Sequence, residues 1–185
     1  ATLYLYDARG NGIETRYPDG TVAATVYDAD GRAVVTVDRH VAGAPANGSR
    51  TIYDDAGRVV RAERLSGVVV ALSTQTVDGV AAVESFVAAI GAVVSSNLTL
   101  YDAAGRAVET VDAAGASTRY EFDAAGRNVA IVDSATNRTE FEYDAAGRQT
   151  QSRTYPPGGT TSVSSVAYEY DALGRRTVTR FADGT

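Results

Sequence analysis

Short runs of alternating polar and apolar residues recur along the chain, and turn residues separate them. In residues 118–122 every second side chain is aromatic or Thr, which is the period of a strand with one buried face. The run ends at Asp123-Ala124-Ala125-Gly126, and an apolar run over residues 129–132 follows. Asp can accept bonds from turn N–H groups, and Gly can adopt the left-handed conformation that closes a type I turn with a G1 bulge. The pattern therefore predicts a β-hairpin.

The string aromatic-Asp-x-x-Gly-Arg, which marks this hairpin, occurs seven times, and its starts are separated by 21, 26, 48, 21, 21 and 27 residues. Asp and Gly are present in every copy, whereas Phe122 replaces Tyr once and Asn11 replaces Arg once. The motif residues that we expect to be structural are Tyr6, Asp7, Gly10; Tyr27, Asp28, Gly31, Arg32; Tyr53, Asp54, Gly57, Arg58; Tyr101, Asp102, Gly105, Arg106; Phe122, Asp123, Gly126, Arg127; Tyr143, Asp144, Gly147, Arg148; and Tyr170, Asp171, Gly174, Arg175.

These copies predict an all-β fold in which tandem antiparallel hairpins form a curved or spiralling sheet. We treat the whole chain as one repeat array, with repeats near 4–26, 25–52, 51–64, 99–119, 120–140, 141–167 and 168–185. Residues 65–98 lack the motif and form an irregular or degenerate repeat insertion. Its Val-rich flanks favour strands, but its Ala-rich centre after Asp78 leaves a short helix open.

The register of a hairpin with this bulged turn would place the motif Asp and Arg opposite each other and the aromatic on the other face. We therefore expect stacked repeats to form a buried aromatic ladder on one face and a ladder of Asp–Arg pairs on the other. A further column lies seven residues after the aromatic, and its members are Ile13, Val34, Val60, Val108, Val129, Thr150 and Thr177.

The charge and composition argue against several classes of function. With 17 basic and 23 acidic side chains the net charge is -6, so no basic field attracts nucleic acid or an anionic membrane. The absence of Cys excludes disulfides, thiolate catalysis and Cys-based metal sites. The sequence contains no run of 18 apolar residues, so it does not predict a membrane-spanning helix. Because the chain lacks an initiator Met and starts within the repeat pattern, we expect it to be a piece of a longer protein.

Candidate chemistry has a simpler explanation at each position. We expect His40, the one His, to be a surface residue on a Gly- and Pro-containing loop. Asp28 and Asp30 could suggest calcium, but Arg39 stands where an EF-hand loop needs Glu. Glutamates that precede three motif aromatics recur with the repeat and indicate a solvated face with Arg neighbours; they are Glu121, Glu142 and Glu169. We expect no catalytic, cofactor or metal site, no cofactor and no enzymatic activity.

The string Tyr-Asp-Ala-Ala-Gly-Arg over residues 101–106, with Asp-Ala-Ala-Gly following at 112–115, resembles the repeat of bacterial RHS proteins and the related YD repeats of teneurins. The resemblance implies a long sheet that spirals into a hollow shell. In the bacterial family such shells enclose the toxic C-terminal domain of polymorphic toxins, and teneurins use theirs in adhesion. The Asp-Pro-x-Gly-Leu string of the family's self-cleaving core has no counterpart here.

By this resemblance the chain is a scaffold segment of an RHS/YD shell from a large secreted or surface-exposed bacterial toxin. Its expected partners are further repeats and a toxin payload of the same parent chain, with glycans and edge-to-edge self-association as additional candidates and no nucleic acid. The alternative function is a cell-surface adhesin or carbohydrate-binding module.

Overall fold

The computed structural model describes the backbone of residues 1–77 and 80–182 and the side chains of residues 1–72 and 87–182. Its regular elements are 15 strands, and every pair with a described register is antiparallel. This confirms the expected all-β class built from antiparallel hairpins. No helix in the described ranges could span a membrane. The chain divides into two compact units, Ala1–Leu98 and Thr99–Thr185.

Unit 1 contains eight strands, the last of which ends in unit 2. The strands are β1 (Leu3–Tyr6), β2 (Gly12–Arg16), β3 (Thr21–Tyr27), β4 (Ala33–Val41), β5 (Ala46–Tyr53), β6 (Val59–Val77), β7 (Val80–Ala89) and β8 (Ala92–Tyr101). Their order in the sheet is β1-β2-β3-β4-β5-β6-β8, and β7 lies off this path beside β6.

Strands occupy nearly all of the described part of the segment without the motif. The first part of β6 pairs with β5 and β8, and its continuation over residues 69–77 pairs with β7. The alternative prediction of a short helix after Asp78 is wrong over Val80–Ala89, because that stretch forms strand β7. Asp78 and Gly79 themselves lie outside the described residues.

The core of unit 1 lies between its sheet and the β6–β7 hairpin. Along β3 the alternate residues Val22, Ala24 and Val26 are buried, which is the pattern of a strand with one covered face. The buried cluster comprises Ala24, Val26, Val35, Val37, Ala46, Leu65 and Val68, and Val34, Val70, Val87 and Ile90 pack against it. Because Val87 belongs to β7 and Ile90 follows that strand, the inserted hairpin covers part of the sheet.

Unit 2 repeats the hairpin without such a cover. After the end of β8 it contains β9 (Ala107–Val111), β10 (Ser117–Phe122), β11 (Asn128–Val132), β12 (Arg138–Tyr143), β13 (Gln149–Tyr155), β14 (Ser164–Tyr170) and β15 (Arg176–Phe181), which pair in sequence order. Ala130 is the one side chain in the buried class among the described residues of this unit. The unit is therefore a sheet whose two faces are both partly exposed.

The residue before the motif aromatic changes character between repeats. It is apolar in the first four copies, at Leu5, Val26, Ile52 and Leu100, and Glu in the last three. Those glutamates bind arginines, in the pairs Glu121–Arg138 (2.6 Å), Glu142–Arg153 (2.5 Å) and Glu169–Arg180. The expected solvated Glu and Arg face is confirmed, and it belongs to unit 2.

Thr136 is the one non-Gly residue with a positive φ among the described residues, at 64°. Its N–H donates to the Asp133 carbonyl in the β11–β12 turn. The equivalent position of the β9–β10 turn is Gly115, which has a φ of 84°. We expect Thr136→Gly to raise the free energy of unfolding by about 1 kcal/mol, since Gly adopts this conformation without strain. Urea unfolding measures the change. The control Ala135→Gly should lower stability, and a destabilising Thr136→Gly would contradict the argument.

Candidate functional site

The motif Asp organises each hairpin turn. In the fifth copy the Asp123 Oδ1 atom accepts the N–H groups of Ala125 and Arg127, both at 2.9 Å. The Gly126 N–H donates to the Asp123 carbonyl, and the Asp123 N–H donates to the Arg127 carbonyl, each at 3.0 Å. Gly126 has a φ of 81°, and the motif glycines of the other six copies also have positive φ. This confirms the predicted type I turn with a G1 bulge.

The same carboxylate holds the motif Arg. The Arg127 Nε and Nη2 atoms lie 2.7 and 2.6 Å from Asp123 Oδ2. Equivalent ion pairs join Asp28–Arg32, Asp54–Arg58, Asp102–Arg106, Asp144–Arg148 and Asp171–Arg175. In the first copy the Asn11 Nδ2 atom takes the place of Nε, at 2.9 Å from Asp7 Oδ2. One Asp therefore fixes both the turn and the Arg.

In four of these copies the clamped Arg lies on the aromatic ring of the following repeat. The Arg127 Cζ atom is 4.9 Å from the centroid of the Tyr143 ring. The corresponding distances are 4.7 Å for Arg32–Tyr53, 4.7 Å for Arg106–Phe122 and 4.8 Å for Arg148–Tyr170. The expected opposition of Asp and Arg is confirmed. The expectation that the aromatic and Asp–Arg ladders are separate is wrong, because the Arg of one repeat makes a cation–π contact with the ring of the next.

A second bulge explains the error. In the β10–β11 hairpin Glu121 pairs with Ala130, but Phe122 pairs with Asn128, so Val129 is an extra residue without a partner in the register. The hairpins that start at Tyr6, Tyr27, Tyr53, Tyr143 and Tyr170 shift in the same place. In these six hairpins the predicted column seven residues after the aromatic is thus a column of bulge residues.

The register between neighbouring repeats places Arg and ring together. Ala130 pairs with Glu140 across β11 and β12, and continuing that register brings Arg127 beside Tyr143. The same continuation holds for β4–β5, β9–β10 and β13–β14. The motifs in these four links start 26, 21, 21 or 27 residues apart. Connections of different length therefore preserve one geometry.

Hydrogen bonds to the backbone complete each link. The Tyr143 hydroxyl donates to the Asn128 carbonyl at 2.6 Å. The hydroxyls of Tyr27, Tyr53 and Tyr170 donate to the equivalent carbonyls, those of Gly12, Ala33 and Gln149. In the reverse direction the Arg127 Nη1 atom donates to the Asp144 carbonyl at 3.3 Å. We call the Asp and Arg of one motif, with the aromatic of the next, the inter-repeat staple.

The other candidate residues have structural surroundings. His40 lies in strand β4, so the prediction that it lies on a loop is wrong. The loop after β4 is shorter than the sequence suggested, because β5 already begins at Ala46. Asp30 binds Arg32 at 2.9 Å. Over the residues that the structure describes, no three His, Asp or Glu side chains are grouped to hold a metal ion. The inter-repeat staple is therefore the candidate functional feature of the described residues.

A family model described as RHS Repeat matches residues 101–135. This stretch contains two consecutive motifs and the staple of Asp102, Arg106 and Phe122. The chain contains an RHS repeat. No curated protein matches the sequence.

Three solved structures illustrate the range of structural matches. The crystal structure of TcdB2-TccC3 is 16% identical with a TM-score of 0.33, over 98% of this chain and 13% of that chain. The Photorhabdus luminescens Tc holotoxin pore is 17% identical with a TM-score of 0.33, over 98% and 12%. A porin-like protein from Bacteroides uniformis is 14% identical with a TM-score of 0.36, over 86% and 52%. This RHS-repeat chain thus spans about an eighth of the first two.

The exposure of the motif arginines provides a test of the staple. Arg127 and Arg175 make the same ion pair, but 37% of the Arg127 side chain is exposed compared with 74% of Arg175. We expect Arg127→Ala to lower the free energy of unfolding by about 0.5–1 kcal/mol more than Arg175→Ala, because only the former loses a ring contact seen in the described residues. Chemical denaturation of both variants measures the difference. Equal losses would show that the ring contact contributes nothing.

Phe122 is the one motif aromatic without a hydroxyl. We expect Phe122→Tyr to raise the free energy of unfolding by about 0.5–1.5 kcal/mol, because the new hydroxyl should reach the Ala107 carbonyl as Tyr143 reaches Asn128. Phe141→Tyr, two residues before a motif aromatic, is the control and should bring no such gain. Urea midpoints measure both, and a gain in the control alone would refute the assignment.

The turn geometry also predicts a dependence on pH. The backbone N–H of Arg127 lowers the pKa of Asp123, desolvation opposes this, and the Arg127 side chain lowers the pKa further. A carboxyl with a lowered folded-state pKa stabilises the fold above its unfolded value of about 4 and loses that contribution as the pH falls through the folded value. We therefore expect urea midpoints to fall between about pH 5 and 2, and to fall less in Asp123→Asn. Parallel curves for both proteins would contradict this.

Proposed function

We propose that this chain is a structural wall segment of an RHS-repeat shell that encloses the effector domain of a large secreted bacterial toxin. The observation that supports the proposal is the inter-repeat staple, which recurs in the same register across connections of different length. Such a link lets hairpins be added one after another. A sheet extended in this way is suited to building a wall.

The proposal assigns the chain no catalytic role. The motif Asp, Arg and aromatic side chains, which would otherwise be the obvious candidates for chemistry, bind each other and the backbone. Asp123 Oδ1 accepts two N–H groups and Oδ2 binds Arg127, so its carboxylate is occupied by the turn. The chemistry of the toxin belongs, on this proposal, to a payload domain of the same parent chain.

The proposed partners are further repeats and that payload, and the proposed location is outside the bacterial cell. The carbohydrate-binding alternative has no specific observation in its favour. A sugar would need an open aromatic face, and arginines occupy one face of the rings of Tyr53, Phe122, Tyr143 and Tyr170.

Protease protection in the parent protein tests the proposal. The gene that encodes this chain would be expressed with its flanking sequence and the product treated with proteinase K. We expect a domain downstream of the repeats to survive while the shell is folded. The triple variant Arg106→Ala, Arg127→Ala and Arg148→Ala should make that domain sensitive, whereas Arg119→Ala, which changes an Arg outside the motif, should not. A downstream domain that is digested equally fast in all three proteins would overturn the enclosure.

A further inference from the structure

The link between the first and second motifs lacks the motif Arg. Asn11 stands in its place, and the Asn11 Nδ2 atom lies 2.9 Å from Asp7 Oδ2. In the part of the chain that the structure describes, no ion pair involves Asp7, and no guanidinium lies on the ring of Tyr27, the aromatic of the second motif. This staple therefore has its carboxylate and its ring but no guanidinium.

The backbone of this link is nevertheless that of the links with a complete staple. Glu14 pairs with Ala24 across β2 and β3, which is the register found between the fifth and sixth motifs. The Tyr27 hydroxyl donates to the Gly12 carbonyl at 3.3 Å, as the equivalent hydroxyls do elsewhere. The Asp7 carboxylate and the Tyr27 ring are therefore positioned as in the links where a guanidinium lies between them.

A cavity of about 240 Å³ opens at this place, and its lining includes Asp7, Ile13 and Tyr27. Ile13 is a buried apolar side chain, with 1% of its surface exposed. A carboxylate, a ring and an apolar wall are the surroundings that suit the edge, the flat face and the stem of an arginine. Because the cavity lies between two motifs of this chain, a repeat before the first motif would place its own Arg on Tyr6 and leave the cavity unchanged.

Arg9 also lines the cavity but does not complete the staple. Its Nη1 atom donates to the Ala29 carbonyl in the next turn, and no ion pair with Asp7 or contact with the Tyr27 ring is seen in the described residues. Arg9 is exposed, so salt and water screen its repulsion of a second cation. The Asp7 Oδ2 atom, bound to a neutral amide alone, can accept a further N–H donor.

We propose that the cavity between Asp7 and Tyr27 binds a guanidinium group of another molecule, with an N–H bonded to Asp7 Oδ2 and the flat face on the Tyr27 ring. The chain itself defines this ligand class, because it holds four of its own guanidinium groups in this way. An ammonium group has no flat face and no fork of N–H donors, so the site distinguishes arginine from lysine. The site goes beyond the wall function and does not depend on enclosure of a payload.

Titration of the full chain with ethylguanidine, followed by ¹H–¹⁵N NMR, is the first test. We expect the signals of residues 7–11 and 27–29 to shift with a Kd of about 1–10 mM, as suits a ligand of this size. Ethylammonium should bind at least about threefold more weakly. The absence of these shifts, or equal binding of the two cations, would overturn the proposal.

A peptide identifies the source of the group. Acetyl-Gly-Arg-Gly-amide carries the same guanidinium on a peptide backbone. Binding tighter than that of ethylguanidine would support an Arg side chain of a protein as the ligand, and equal binding would support a small guanidinium compound.

Asn11→Arg supplies the missing guanidinium from the chain. We expect this variant to have a higher urea midpoint and to bind ethylguanidine at least about tenfold more weakly, so unfolding could not explain the loss. Asn137→Arg is the matched control, because the Asn137 Nδ2 atom makes the same contact with Asp133 Oδ2, at 2.8 Å, in a turn away from the cavity. It should bind ethylguanidine like the parent chain. Undiminished binding by Asn11→Arg would contradict the assignment.

The reverse change should create a second site. Arg127→Asn gives the link to Tyr143 the composition of the first link, so we expect a second molecule of ethylguanidine to bind there. Tyr27→Leu should weaken binding at the first site by about fivefold. A folded Arg127→Asn variant without a second site would overturn the comparison between links. Binding seen only in Arg9→Ala would also overturn the proposal, since Arg9 would then fill the cavity itself.

Discussion

The structure depends on one property of arginine, which is that its guanidinium can bind a carboxylate at its edge while its flat face lies on an aromatic ring. The motif Asp first closes the turn and then holds the Arg, so the Arg reaches the next repeat already oriented. Arg127 thus joins its own hairpin, through Asp123, to the ring of Tyr143. The register between adjacent repeats preserves this contact, and the connecting loop can vary in length without changing it.

The same sheet is stabilised differently in its two units. In unit 1 the face that carries Val26 is apolar and is covered in part by the β6–β7 hairpin. In unit 2 the position of Val26 is taken by Glu121, Glu142 and Glu169, which pair with arginines at the surface. Since exposed ion pairs contribute little to stability, unit 2 depends more heavily on the staples than unit 1, which has a buried cluster as well.

The sequence predicted what local chemistry determines. The Asp-x-x-Gly string defines a turn by itself, so the hairpins and the all-β class could be read from it. The contact between the motif Arg and the next aromatic could not be predicted in this way. It depends on the bulge at Val129, and the residues around Val129 look like those of an ordinary strand. The recurrence of a bulge column seven residues after the aromatic was visible, but its meaning requires the register. The packing of β7 over the sheet was equally hidden, since it depends on contacts between residues far apart in sequence.

The Arg and the following ring stabilise the array together, and a double-mutant cycle on Arg127→Ala and Tyr143→Leu measures their coupling. Urea unfolding of the parent chain, the two single variants and the double variant gives the coupling free energy. We expect the pair to be coupled favourably by about 0.5–1 kcal/mol. Losses that simply add would show that the two side chains act independently and that the staple does not hold the repeats together.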